Sequence, residues 1–278
     1  MSKLRIRKAN GDLVDFDETK IIAALMRSGA RRDEAEKVLS QLLKTVSDGV
    51  STAKIYQKAL MQLRKVSGYA AGRYQLKRAV FELGPGGYPF EKFVAHLLAS
   101  KGFETQTNVI GQGRCVRHEL DVVAENKFEK IMVECKFHRD QGQKNDVKIP
   151  LYIQSRFLDM KQQWEAEGET RKITGMIVTN TRFTTDAEDF GKCVGLRLVS
   201  WDYPNGHGLR NWIDKSGLHP ITTISSIPKA LKSVLMEKGI VLCREILDKS
   251  ELLLQLGIAE QKVKTIIEEA RLITETER

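Results

Sequence analysis

Asp121, Glu134 and Lys136 have the types and the spacing needed to cleave a phosphodiester. Residues 118–124 and 130–136 read as two strands joined by a short polar turn. With the turn centred between Lys127 and Phe128, Asp121 falls opposite Glu134, and Glu119 opposite Lys136. Directly opposed residues share a face with Cβ atoms roughly 4.5–5.5 Å apart. Alternation sends Glu134 and Lys136 to one side, and Val133 and Cys135 to the other. Two neighbouring carboxylates repel unless a positive charge lies between them. Mg²⁺ is a hard cation that takes one or two carboxylates together with substrate phosphate. It polarises the phosphate and lowers the pKa of the attacking water, which a nearby lysine can orient or deprotonate. The competing reading is an exposed ladder of cross-strand ion pairs, with Glu119 bonded to Lys136. Val122, Val123, Ile131, Met132 and Val133 argue for central strands, where unpaired charge is costly. The residues alone leave both readings open.

Three segments position this hairpin. Residues 1–84 begin with two short strands, Leu4–Lys8 and Leu13–Phe16, around an Asn10-Gly11 turn. Asp17 is placed to cap a helix running to about Arg27. Helical spacing continues through 33–48, 52–66 and 69–83. Gly84-Pro85-Gly86-Gly87 then breaks the chain. Residues 88–203 alternate helix and strand: a helix over 88–101, strands over 104–110, 117–124 and 130–137, and a helix over 146–164. A strand over 173–179, a helix over 186–193 and a strand over 196–201 complete the segment. Such alternation predicts an α/β fold, a mixed sheet flanked by helices. Residues 204–278 read as all-α, with a helix start near Ser226–Pro228, a helix capped by Ser250 and a last helix over 260–273.

The chain has 278 residues, and 45 Lys and Arg against 36 Asp and Glu. The resulting charge of +9 favours polyanionic partners, although a basic protein without such a partner fits equally. The apolar runs are too short to cross a bilayer. No apolar signal core follows the first residues, so no membrane association and a cytoplasmic location are expected. The four cysteines are scattered, which suits reduced core thiols rather than a zinc site built from Cys115-x-x-His118 and Cys135-x-x-His138. The polar stretch His138–Asn145, with Lys148, Tyr152, Gln154 and Arg156 on the next helix, is a candidate for phosphate contact; a solvated loop and helix face fits as well.

Tyr88-Pro89-Phe90-Glu91-Lys92-Phe93, Gly102-Phe103, Glu119-Leu120-Asp121-Val122-Val123-Ala124 and Val133-Glu134-Cys135-Lys136 together resemble the Mrr-type restriction endonucleases. The match spans roughly residues 88–203. It implies a PD-(D/E)xK, restriction-endonuclease-like fold and metal-dependent DNA cleavage. By that resemblance Asp121 and Glu134 hold Mg²⁺ or Mn²⁺, Lys136 serves the water, and Glu91 completes the site. Leu120 stands where the motif's name has Pro.

Residues 1–84 resemble the ATP-cone domain through Ile6-Arg7-Lys8-Ala9-Asn10-Gly11, Phe16-Asp17, Lys20-Ile21 and Gly49–Tyr56. The resemblance implies ATP or dATP as an effector, with Lys8 and Lys20 meeting phosphates and Ile6 and Thr52 lining the site. It also implies a homo-oligomer. Ala9 stands where the family usually has Arg, which leaves room for a cone that only docks. Arg7 does not replace that Arg, since strand alternation points it to the opposite face. Residues 235–240, 252–258 and 263–271 resemble helix-hairpin-helix domains. There a glycine turn presents backbone N–H groups to DNA phosphates. A helical protein-interaction module competes with that reading.

The expectation is a Mg²⁺-dependent endonuclease acting on double-stranded DNA under the control of an adenine nucleotide. The alternative is a non-catalytic, nucleotide-sensing DNA-binding regulator that keeps the nuclease fold as a scaffold.

Overall fold

A computed structural model describes residues 4–8, 11–84 and 86–274. Ala9, Asn10 of the expected turn and Pro85 of the expected break lie outside them. Strands β1 (Arg5–Arg7) and β2 (Leu13–Asp15) pair antiparallel. Asp17 caps α1 (Glu18–Arg27) by accepting from the backbone N–H groups of Thr19 and Lys20. Then come α2 (Arg32–Leu43), β3 (Val50–Ser51) and α3 (Thr52–Val66), with β3 joining β1 in parallel. Periodicity over 69–83 suggested one helix, but the chain breaks at Gln75 into α4 (Gly68–Tyr74) and α5 (Leu76–Phe81).

The middle segment runs α6 (Tyr88–Ala99), β4 (Glu104–Gln112), β5 (Arg117–Glu125), β6 (Glu129–Lys136), β7 (Lys144–Asn145) and α7 (Lys148–Ala166). It continues with β8 (Lys172–Thr179), β9 (Arg182–Phe183), α8 (Thr185–Val194) and β10 (Arg197–Val199). Five strands make a mixed sheet in the order β10-β8-β6-β5-β4. β4, β5 and β6 are antiparallel; β6, β8 and β10 are parallel. Both faces of the central strands are buried, so they carry near-continuous apolar runs. Val123, Met132 and Ile177 pack with Ile153, Phe157 and Met160 of α7. The alternate residues Val122, Ala124, Ile131 and Val133 are buried too, and α6 packs against β4, β5 and β6.

The last segment holds α9 (Leu209–Ser216), α10 (Lys229–Glu237), α11 (Ser250–Gln255) and α12 (Glu260–Thr274). Ser250 is the first residue of its helix rather than its cap, which is Lys249. The described residues form two compact units. One holds those within Met1–Lys77, Thr223–Ser226 and Leu247–Arg278; the other holds those within Arg78–Thr222 and Ile227–Ile246. The segment 204–278 is therefore divided between them. In the first unit α12 packs on α4 and buries Val263, Ile266, Ala270 and Ile273. In the second, α10 buries Leu231, Leu235 and Met236. No helix among the described residues is long and apolar enough to cross a membrane.

Candidate active site and nucleotide pocket

The hairpin takes the expected register: Val122 pairs with Val133, and Val123 with Met132. Beyond Val122 the ladder to β6 stops, and the Asp121 side chain substitutes for it. Its Oδ2 accepts a hydrogen bond of 2.6 Å from the Cys135 backbone N–H. β6 stays anchored on its other edge, paired with β8 as far as Lys136 and Thr179. The site therefore opens where β5 leaves β6.

A kink in β4 and β5 accompanies this opening. Asn108 stands opposite Asp121 in register, yet only its neighbours pair, Thr107 with Val122 and Val109 with Leu120. Asn108 has φ +54°, the only positive value for a non-glycine among the described residues. Leu120 and Val123 are three residues apart and still share one core cluster, so alternation is broken between them.

Glu134 is almost fully buried. Lys136 Nζ donates to its Oε1 at 2.6 Å, and Arg156 Nη1 of α7 donates to its Oε2 at 2.7 Å. Arg156 Nη2 also donates to the Glu119 carbonyl. Lys136 thus pairs with Glu134, not with Glu119 as the surface-ladder reading required. Burial, then the Glu134 charge, pushes Asp121 up to about 6, against the pull of the Cys135 N–H, Lys136 and Arg156. Burial, then Asp121, Glu119 and Glu134, pushes Glu91 on α6 up to about 7. Four carboxylates thus meet only two cations, Lys136 and Arg156, in a half-buried site, so the ionised cluster keeps an excess of negative charge. Two hard oxygen donors, Asp121 and Glu134, fit a divalent cation in such a place. Among the described residues no group of three or more His, Cys, Asp or Glu could hold a metal. Two carboxylates match the small protein ligand count that Mg²⁺ uses.

In the first unit, Ile6, Lys8, Lys20 and Thr52 line one cavity of about 280 Å³. Tyr56 and Tyr74 also line it, their rings stacked at 5.0 Å. Lys20 forms an ion pair of 3.3 Å with Asp17. Arg7 lines a different cavity, beside Asp48 and Lys54, as strand alternation requires.

These two arrangements have counterparts in known families. The restriction endonuclease family matches residues 86–204, the ATP cone domain residues 4–80, and the AF1548-like C-terminal family residues 219–274. An uncharacterized protein of Archaeoglobus fulgidus is 40% identical over 179 residues, which are 64% of this chain and 98% of the relative. The chain belongs to one family with this protein, and its residues 86–204 are a restriction endonuclease domain of the Mrr type. The crystal structure of AF1548, a protein of unknown function, is 38% identical. It aligns with a TM-score of 0.57 over 68% of this chain and 98% of its own.

Within the Mrr-type domain the structure brings together all four residues read from the sequence: Asp121, Glu134, Lys136 and Glu91. Arg156, one of the candidates for phosphate contact, bonds Glu134 and the Glu119 carbonyl instead. Asn108 escaped sequence reasoning, because no local pattern marks a positive φ in mid-strand. The zinc pattern dissolves: His118 Nε2 bonds Asp159 Oδ2 and His138 Nε2 bonds Asn145 Oδ1, each at 2.8 Å. Cys135 and Cys243 are buried, but Cys115 and Cys193 are exposed rather than core thiols. Cys115 sits in the loop that wraps Asp159, and Cys193 on the outer side of α8. In the AF1548-like region, Gly239 (φ +78°) and Gly257 (φ +79°) both occupy the left-handed turn after a helix that glycine favours.

Proposed function

We propose that the Mrr-type domain hydrolyses phosphodiester bonds of double-stranded DNA with Mg²⁺ or Mn²⁺, and that ATP or dATP in the cone regulates cleavage. The observation that carries this reading is the convergence of Asp121, Glu134 and Lys136 at the mouth between β5 and β6. Asp121 and Glu134 hold the cation. When bound, the cation supplies charge that polarises the scissile phosphate and acidifies the attacking water. Lys136 Nζ, held at Glu134, orients that water. Glu91, raised to about 7 in the metal-free chain, completes the site from α6. In the cone, Lys8 and Lys20 face the nucleotide phosphates, and Ile6 and Thr52 the rest of the nucleotide. Regulation requires that nucleotide bind two states of the protein with different affinity. The glycine turns at Gly239 and Gly257 support a tail that binds DNA phosphates, and cone-to-cone pairing into a homo-oligomer completes the reading.

Supercoiled plasmid is incubated with the full chain and Mg²⁺, with and without ATP or dATP, alongside Asp121→Ala. Nicking that needs metal and vanishes in the variant supports the nuclease; a nucleotide effect on the rate supports regulation. DNA binding without cleavage, across metals, nucleotides and methylated substrates, would replace this reading with a DNA-binding regulator.

A further inference from the structure

The second unit contains a cavity of about 360 Å³ that the catalytic reading does not use. Arg139, Lys229 and Lys232 line it, with Glu82, Gly84 and Thr222. Its one carboxylate, Glu82, is held by Arg78 at 2.9 Å, so the cavity keeps an excess of positive charge. Lys232 is nine-tenths buried, and its Nζ donates to the Thr222 carbonyl at 2.7 Å. Thr222 is fixed in turn, its hydroxyl donating to Ala79 O at 2.6 Å. That bond fixes the Lys232 ammonium in the wall that Arg139 and Lys229 also line. Lys229 and Lys232 lie in the first turn of α10, whose cap, Pro228, makes no side-chain cap bond. The leading N–H groups of that helix have no acceptor within it and add positive potential at the same end.

The cavity adjoins the catalytic strand. Arg139 follows Lys136 by three residues. A Cβ on Gly84 would come within 2.8 Å of the Phe137 ring, and Phe137 is the residue after Lys136. A DNA strand lying at Lys136 therefore has its neighbouring backbone within reach of Arg139. We propose that this cavity binds a phosphate of the DNA backbone and holds the strand beside the catalytic centre. This assignment rests on the nuclease reading for its choice of polyanion.

The test is fluorescence anisotropy of a labelled double-stranded oligonucleotide with the full chain, without divalent metal, over a range of salt. Arg139 and Lys229 are exposed, so Arg139→Ala with Lys229→Ala keeps the fold; Lys232→Met keeps the packing where alanine would not. Both variants should bind roughly tenfold more weakly, whatever the sequence. The slope of log affinity against log salt should become shallower by about one unit, with an unchanged melting temperature in the exposed double variant. Unchanged affinity and slope would overturn the proposal, and so would a wild type that binds no DNA. Inorganic phosphate and ATP, titrated by calorimetry, separate the sources. Heat that depends on Arg139 and Lys229, with DNA binding unaffected, would assign the cavity to a free phosphate compound instead. Plasmid cleavage is read in parallel. A wild type that binds DNA with the variant-sensitive slope but never cuts loses the nuclease reading and keeps this site. Normal cutting with an unchanged slope loses only the site.

Discussion

Arg156 Nη1 lies 2.7 Å from Glu134 Oε2, while Lys136 Nζ lies 2.6 Å from Oε1, so one buried carboxylate is clamped between two cations. A metal at Glu134 must share or displace the guanidinium. Arg156→Ala leaves Lys136 on Glu134 but frees Oε2 and the Glu119 carbonyl. Losing an outer partner of a metal ligand typically costs about 10- to 100-fold in metal affinity or activity. Arg156→Ala should show that loss in Mn²⁺ affinity and in single-turnover cleavage, and Arg156→Lys should recover part of it. Full activity in the alanine variant would reduce Arg156 to a structural tie.

The two raised carboxylates predict a pH dependence of stability. Asp121 near 6 and Glu91 near 7 bind protons in the folded chain that the unfolded chain has released above about 4. Stability of the metal-free protein therefore falls as pH rises from about 4 through 7. Glu91→Gln should flatten part of that fall in scanning calorimetry. Mg²⁺ or Mn²⁺ should raise the melting temperature more at about pH 8 than at about pH 6, since binding must expel the same protons. A metal effect independent of pH would mean that metal binding does not expel the protons of Asp121 and Glu91.

Asp159 predicts the opposite behaviour. The His118 ring beside it, helped by the Cys115 and Val116 N–H groups, holds its carboxyl down to about 2. Its contribution is present above the unfolded value of about 3.9 and is lost as pH falls through about 2. Asp159→Asn should abolish that acid-labile part, followed by circular dichroism between about pH 5 and 2. A Cβ at Gly113 would come within 2.1 Å of Asp159 Oδ2, so Gly113→Ala should disturb the same loop.

Gly175 lets α7 lie close to the sheet. A Cβ there would meet Leu196 Cδ2 at 2.5 Å and Phe157 Cγ at 2.9 Å. Gly175→Val should destabilise the chain by about 1–3 kcal/mol in urea unfolding, the ordinary cost of overpacking. Gly175 pairs with Met132, two residues before Glu134, so cleavage should fall alongside stability.

The cone offers an internal control. Lys20→Ala should weaken ATP binding by about tenfold or more, because a charged hydrogen bond to phosphate is removed. Arg7→Ala, on the opposite face of the strand, should leave it unchanged. Equal effects of the two in isothermal titration would mean that the Ile6–Thr52 cavity is not the nucleotide site.

What was legible in the sequence was local or periodic. The register of 122–125 against 130–133 followed from the sequence, because a hairpin's register follows from its turn and its side-chain period of two. The Asp17 cap and the amphipathic helices follow from spacing within a few residues. Tertiary structure alone decided the rest. Arg156 meets Glu134 because α7 crosses the sheet above β6, a contact between residues 22 apart. Asn108 adopts its positive φ because β4 must bend with β5 where Asp121 leaves the ladder. The raised values of Glu91 and Asp121 come from burial, with Glu134 acting on Asp121 and Asp121 acting on Glu91, and neither exists until the strands and α6 are assembled. The segment 204–278 reads as one run of helices, but its apolar faces find partners in two different units. Helical periodicity states that a face will be buried, and only packing states against what.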